Sequence, residues 1–380
     1  MSARRGIAVF GASLESMAVA ATTADRAGFH SVWTSELYNR SATVTLAALA
    51  PRTSDCVLGS GIMYGVGRSP LMLAAEARDL DELSRGRFVL GLGNGTRRMI
   101  AAWHGLDGSA PAVRIEELVP LLRRIWRLAE EPVDHEGRFY RLRIAALDDL
   151  AAERGRDIPI YTAGVSPRMI EAAGRVADGL LGHTLFSPGY IADVVRPAIE
   201  RGAAHAGRDP GDVALATYTL ASAHEDPAQA RRDAAAMIAF YGSVKSYAGL
   251  FDACGFAREA EAVRAAFAAG DVEAMVGAVS EAMVDELAVA GTPAEVCEQL
   301  RRFDGVVDEV VLSPPTFRVT PERVAENLAT LVAHCAPDYC MSASPSNDAQ
   351  RSKNSCASIV SSSARRIATT RLASRGSRSQ

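Results

Sequence analysis

The 380-residue chain is 48% hydrophobic and 23% charged, with a formal net charge of −4 and a pI near 6.0. That balance argues against nucleic acid or an anionic membrane surface as partner, and no run approaches the roughly 18 apolar residues of a membrane span. Six scattered cysteines without a CxxC pair, and no HExxH, predict reduced thiols and no metal site.

The N-terminus MSARRGIAVF lacks the long apolar stretch of a signal peptide, so a cytoplasmic location is expected. Gly6–Phe10 reads as strand one. Leu14–Ala27 follows as a helix, with Ser13 as N-cap and Gly28 past its end. Ser31–Thr34 is strand two and Thr43–Ala50 is helical. Cys56–Ile62 is strand three, Leu71–Leu83 a helix opening after Pro70, and Arg87–Gly91 strand four. An excursion over Trp103–Pro111 leads to a helix at Val113–Ala129, and Pro132–Leu142 reads as a polar surface insertion. Ile158–Thr162 is strand five, Ser166–Val176 a helix, Asp178–Leu181 strand six and Pro188–Ala206 a helix. Asp212–Leu220 is strand seven, Asp226–Leu287 is mostly helical, Asp308–Leu312 is strand eight and Pro321–His334 the last helix.

Eight strands alternating with helices predict the α/β class, as a closed (β/α)8 TIM barrel with insertions. The rival, an open doubly wound sheet, lacks a GxGxxG after strand one. The barrel domain is expected over 1–336. From 337 to 380 the composition changes to twelve serines, seven basic and two acidic residues, which predicts a disordered Ser/Arg-rich tail. Strands three and four both end on glycines, in VLGSGIMYGVG and RFVLGLGN. A flat ligand can lie against backbone where no Cβ stands, so these tips suggest a ligand site at the C-terminal mouth.

Several stretches carry a resemblance: ADRAGFHSVWTSE, TLAALAPRTSDCVLGSGI, RSPLMLAAEARDLDELSRGRFVLGLG, IPIYTAGVSPRMIEAAGRVADGLLGH and AGTPAEVCEQLRRF. In this order they are similar to the luciferase-like monooxygenase family. That family includes flavin-dependent monooxygenases and oxidoreductases that use the deazaflavin coenzyme F420. TSELY, WHG and GHTLFSPGYI resemble the deazaflavin branch, near methylene-tetrahydromethanopterin reductase, more than bacterial luciferase.

The resemblance implies a cofactor ring laid across the barrel mouth. It places a bulge with a non-prolyl cis peptide at Gly61–Ile62 behind the ring, with Ser60 and Met63 as flanking cofactor contacts. Ala163, Gly164, Val165 and Ser166 resemble the family's phosphate-binding turn, and a plain Ser-Pro helix start is the alternative. His183 and Thr184 are expected beside the phosphate or the ribityl chain. Asn94 and Gly95 are expected at the ring's polar edge, unless Asn94 only caps a turn. Tyr38, Tyr64, Trp103 and Phe186 are expected to line the substrate side.

Glu36 and His104 are the expected catalytic residues. A carboxylate partly desolvated beside an uncharged ring would serve as a general acid, and a rim salt bridge is the alternative for Glu36. The chain departs from the branch's sugar-phosphate dehydrogenases, which carry an Asp-His pair where Glu36–Leu37 stand and a glutamate where Thr96 stands. Arg68 and Lys245 are read as surface groups or as partners for an anionic cofactor tail.

The expected activity is hydride transfer between coenzyme F420 and a small organic substrate, within a homodimer. Alternatives are an FMN-dependent monooxygenase using O2 and a non-catalytic flavin-binding barrel.

Overall fold

The computed structural model describes residues 2–146 and 157–337. Apart from Pro337, the expected tail lies outside the described residues. In chain order the first elements are β1 (Arg4–Ala8), α1 (Leu14–Arg26), β2 (Ser31–Thr34), α2 (Ala42–Leu49), β3 (Val57–Ser60), β4 (Met63–Tyr64), α3 (Pro70–Leu83) and β5 (Phe88–Gly93). Next come α4 (Arg97–His104), α5 (Pro111–Trp126), β6 (Val133–Glu136), β7 (Arg141–Ile144), β8 (Ile160–Ala163), α6 (Pro167–Val176) and β9 (Gly179–Gly182). The helical run from α7 (Pro188–Tyr190) to α8 (Arg196–His205) leads to β10 (Ala214–Ala223) and α9 (Pro227–Gly242). Last are α10 (Ala248–Ala253), α11 (Ala257–Ala268), α12 (Val272–Gly277), α13 (Glu281–Leu287), β11 (Ala288–Gly291), α14 (Pro293–Leu300), β12 (Glu309–Ser313) and α15 (Pro321–His334).

Eight of these strands close a parallel barrel in the order β1, β2, β3, β5, β8, β9, β10, β12 and back to β1. This is the (β/α)8 architecture the alternation predicted. Its helices start from one repeated device. Ser69, Ser166, Ser187, Asp226, Thr292 and Thr320 each cap a helix whose first residue is proline. The cap side chain accepts a bond from an orphan N–H of the first turn, and proline occupies a place where no N–H is needed.

Five features differ from the sequence expectation. Strand three is broken. β3 stops at Ser60, and Met63–Tyr64 pairs afresh with Leu92–Gly93 of β5. The break is held by Gly61 N–H donating to the Thr34 carbonyl (2.7 Å) and Glu36 N–H donating to the Ile62 carbonyl (3.3 Å). No cis peptide occurs among the described residues, so the expected bond at Gly61–Ile62 is trans. The polar insertion is an antiparallel hairpin, β6–β7, whose turn is pinned by Glu117 accepting from the N–H groups of Phe139 and Tyr140. The long helical region ends in a strand, β11, that pairs with Leu220–Ala223. The helix expected over Pro188–Ala206 contains a π turn at Ile191–Val195, just ahead of Pro197, which cannot donate to the regular ladder.

The core has two shells. Apolar side chains between sheet and helices form the larger one. Ala8, Trp33, Val89, Leu181, Ala216 and Val311 fill the barrel interior. Large rings fit inside because small residues face them: a Cβ at Gly59 would overlap the Trp33 indole, and one at Gly179 would lie 2.7 Å from the Tyr161 ring. At the C-terminal end, interior residues Phe10, Ile62, Ala163 and Tyr218 keep partial exposure, so the barrel opens there.

Candidate active site

The mouth has two chemically distinct halves. On the β2–β4 side, Arg68 grips Glu36 with both guanidinium nitrogens, at 2.7 and 2.6 Å. The Arg68 Nε donates to Glu76 (3.1 Å), which also accepts from the Thr43 hydroxyl (2.9 Å). Glu36 further accepts from Tyr64 N–H (3.3 Å), while the Tyr64 hydroxyl donates to the Glu36 carbonyl (3.2 Å). The carboxylate is only 9% exposed and the guanidinium 19%. Glu36 beside it pushes the Arg68 guanidinium further up, and burial pushes the Tyr64 phenol to about 12. Bidentate geometry makes this a strong pair, and it ties β4 to the loop after β2.

The β5, β9 and β10 side is neutral and unsatisfied. Asn94 Oδ1, His183 Nε2, Thr184 Oγ1 and Tyr218 Oη are each closed to solvent and have no hydrogen-bond partner among the described residues. His183 receives a bond on Nδ1 from Leu185 N–H (3.3 Å), which assigns its proton to Nε2. Burial pushes the His183 imidazole down to about 3, so it stays neutral at physiological pH. Its ring packs against Tyr241 (4.5 Å) and Tyr247 (4.6 Å), supplied by α9 and the 3-10 turn that follows it. Orphaned buried polar groups cost roughly 1–3 kcal/mol each and are normally satisfied. Asn94, His183 and Thr184 each follow the C-terminal end of a barrel strand and Tyr218 lies on β10, so a planar cofactor with a polar edge and a hydroxylated tail at the mouth would meet such groups; Thr34 on β2 and Thr162 on β8 are orphaned as well. Asn94 offers an acceptor there, His183 an N–H donor and Thr184 a hydroxyl. The side-chain N–H2 of Asn94 is already committed to the Pro111 carbonyl (2.7 Å).

Several expected site residues do other work. Glu36 is not free to donate a proton, because the Arg68 fork engages both of its oxygens; the salt-bridge alternative describes it. Arg68 is correspondingly an internal partner, not a surface group. Ser60 is fully buried and bonds the N–H and carbonyl of Gly91. Met63 is buried in the outer core, as is Phe186, which packs on Tyr190 at 5.0 Å. Strand alternation explains one of these: Gly59 faces the interior, so Ser60 does not.

The glycine tips are not bare shelves. A Cβ at Gly61 would meet the Tyr218 hydroxyl, at Gly93 the Ile62 side chain, at Gly95 the Met99 methyl and at Gly164 Met169. Ala163 joins the interior cluster, and the Val165 carbonyl accepts from the Tyr190 hydroxyl (3.2 Å). The exposed Ser166 caps α6 through its side-chain oxygen, as five other residues cap their proline-led helices. Thr96 caps α4, whose last turn carries Trp103 and His104. Trp103 meets the 78%-exposed Tyr38 edge-on at 5.7 Å, and His104 meets Tyr64 at 5.6 Å. These pairs stand on the outer rim.

Tyr218 carries no role in the sequence reading, and Tyr241 and Tyr247 enter it only as part of a stretch, Tyr241–Phe256, expected to border the substrate. The inward parity of strand seven, shared by Ala216 and Tyr218, is the available signal for one of them. Nothing in the local sequence pairs Arg68 with Glu36. A surface cavity of about 340 Å³ is lined by Gln229, Arg232, Asp233 and Arg318 among others, none of them an expected site residue. No helix among the described residues is long and apolar enough to cross a membrane.

Comparison with known proteins gives this geometry a context. An uncharacterised protein of Mycobacterium tuberculosis is 32% identical over 299 residues, covering 77% of this chain and 88% of the relative. The 5,10-methylenetetrahydromethanopterin reductase of Methanolobus tindarius is 31% identical over 301 residues, covering 78% and 89%. Among solved structures, the coenzyme F420 dependent tetrahydromethanopterin reductase of Methanopyrus kandleri superposes with a TM-score of 0.76 at 26% identity, over 89% of this chain and 100% of the other. A type II Baeyer-Villiger monooxygenase from Pseudomonas putida, solved with FMN, shares the fold at a TM-score of 0.63 and 18% identity, over 89% and 99%. The family model for luciferase-like monooxygenases matches residues 3–308. With the closed parallel barrel and its open C-terminal mouth, that match shows that this chain belongs to the luciferase-like monooxygenase family.

Proposed function

We propose that this protein is an oxidoreductase that binds coenzyme F420 at the C-terminal mouth and moves a hydride between it and a small organic substrate. The observation that carries the reading is the set of orphaned neutral groups on β5, β9 and β10. The similarity to methylenetetrahydromethanopterin reductases favours the deazaflavin over FMN. A second copy of the chain is the expected partner.

A deazaflavin supplies a two-electron hydride donor or acceptor that does not readily activate O2. The chain's own residues bind, orient and dry the site. His183 Nε2–H and Thr184 Oγ1 hold polar atoms of the cofactor, and Asn94 Oδ1 accepts from a hydroxyl or N–H. The Gly164–Ser166 turn at the start of α6 offers backbone N–H groups to the phosphate. Tyr241 and Tyr247 keep water from the β9 side of the mouth. On the opposite side the Glu36–Arg68 pair keeps β4 and Tyr64 in place.

The test is titration of the protein with coenzyme F420 and, separately, with FMN. Fluorescence quenching by F420, with FMN binding weakly or not at all, is the expected result. Tight FMN binding with NADH-dependent oxygen uptake would overturn it in favour of a monooxygenase.

A further inference from the structure

Tyr218 occupies an unusual place. It lies on β10, in the interior cluster, where its neighbours Ala216 and Val311 are small or aliphatic. Its ring keeps partial exposure, and an interior residue at this end can gain that only from the mouth. Its hydroxyl is closed to solvent and unpartnered. The hydroxyl fills the space that a Cβ at Gly61 would take, at the break between β3 and β4. The Ser35 hydroxyl donates its proton to the Gly61 carbonyl (2.9 Å), and its oxygen stands near the phenol. Burial pushes the phenol well above its ordinary range, with Ser35 only partly opposing, so the group stays a neutral O–H donor.

We propose that the Tyr218 hydroxyl, set over Gly61 at the base of the mouth, donates a hydrogen bond to an acceptor oxygen or nitrogen on the edge of the bound redox ring. This rests on the reading of the mouth as a redox-cofactor site. The ring is assigned in preference to the substrate because the hydroxyl lies at the closed end of the mouth. The occupant that enters first and lies deepest meets it. A tyrosine suits this role because its rigid ring carries the donor with little rotamer freedom to lose. The absence of a Cβ at Gly61 is then a requirement of the phenol's placement.

The test compares wild type with Tyr218→Phe, using coenzyme F420, FMN and riboflavin as probes in fluorescence titration and thermal unfolding of the unliganded protein. Tyr218→Phe removes an unsatisfied buried hydroxyl, so the unliganded melting temperature stays level or rises. The dissociation constant of the ring that wild type binds rises about tenfold, the ordinary worth of one hydrogen bond in a dry site. Riboflavin, which lacks the phosphate, shows the same fold-loss if wild type binds it, because the contact is to the ring. Gly61→Ala, whose Cβ would lie 2.8 Å from the ring carbon that bears the hydroxyl, displaces the Tyr218 side chain and weakens ring binding in the otherwise wild-type protein. An unchanged dissociation constant in Tyr218→Phe, with wild type binding the ring, overturns this inference and leaves the proposed function standing. Wild type that binds none of the three probes overturns the proposed function and this inference with it.

Discussion

The two halves of the barrel mouth solve opposite problems. On the β2–β4 side, the charges are paired: Arg68 is shared between Glu36 and Glu76, and Glu76 takes the Thr43 hydroxyl. On the β9–β10 side the groups in question are neutral, and His183 Nε2, Thr184 Oγ1 and Tyr218 Oη have no partner among the described residues. A closed network is already committed to holding the fold. Unsatisfied donors and acceptors in a dry rim carry a standing cost, which a bound molecule with matching groups removes. The charged cluster has the residue types of a catalytic centre, yet the neutral side has the capacity left to bind.

The largest effect separating the halves is on stability. Arg68→Ala strands two partly buried carboxylates and costs about 3 kcal/mol. The loss is read from the denaturant midpoint, and it comes with little change in ring affinity per folded molecule. A large affinity loss at unchanged stability would move the binding site to the charged half.

The second effect is on affinity. His183→Phe keeps the aromatic packing against Tyr241 and Tyr247 but removes the Nε2–H donor, so F420 binding weakens about tenfold while the midpoint holds or rises. Equal affinity in the variant would return His183 to a packing role.

The same histidine gives a pH signature. Its imidazole is pushed down to about 3 in the folded protein, against about 6.5 when unfolded. The unfolded chain therefore takes up a proton first as pH falls. Stability contributed by this group is present above about pH 6.5 and is lost as pH drops toward 3, at a slope of up to about 1.4 kcal/mol per pH unit. Urea midpoints between about pH 7 and 4.5 should fall less steeply in His183→Phe than in wild type. Parallel slopes would contradict the neutral, buried imidazole.

The smallest effect is a contrast of two threonines. Thr43→Val removes a bond to Glu76 and costs about 1 kcal/mol. Thr184→Val removes a hydroxyl with no partner and leaves the unliganded protein as stable or slightly more so. Thermal shifts of opposite sign are expected.

How much of this was legible in the sequence depended on the range of the interaction. The barrel was legible because each strand-helix alternation is local, and the Ser/Thr/Asp-Pro pairs mark helix starts within two residues. β11 was not: AVAG is four small residues after a helix, and its strand character comes from pairing with the extended end of β10. β4 was hidden inside an apparently continuous run because a change of hydrogen-bond partner leaves no mark on hydropathy. In the mouth, the positions of His183, Thr184 and Asn94 just past strand ends were legible. Ser60, Met63 and Phe186 are core residues instead, since neither a resemblance nor a place near a strand end tells which way a side chain turns. The Glu36–Arg68 pair joins residues 32 positions apart and could be read only from the folded chain.

A crystal structure of the protein with coenzyme F420 tests the central claim most directly. The account predicts the ring and tail hydrogen-bonded to His183 Nε2 and Thr184 Oγ1, with the Glu36–Arg68 pair intact. A cofactor that breaks that pair to bind Arg68, leaving His183 and Thr184 unpartnered, would contradict it.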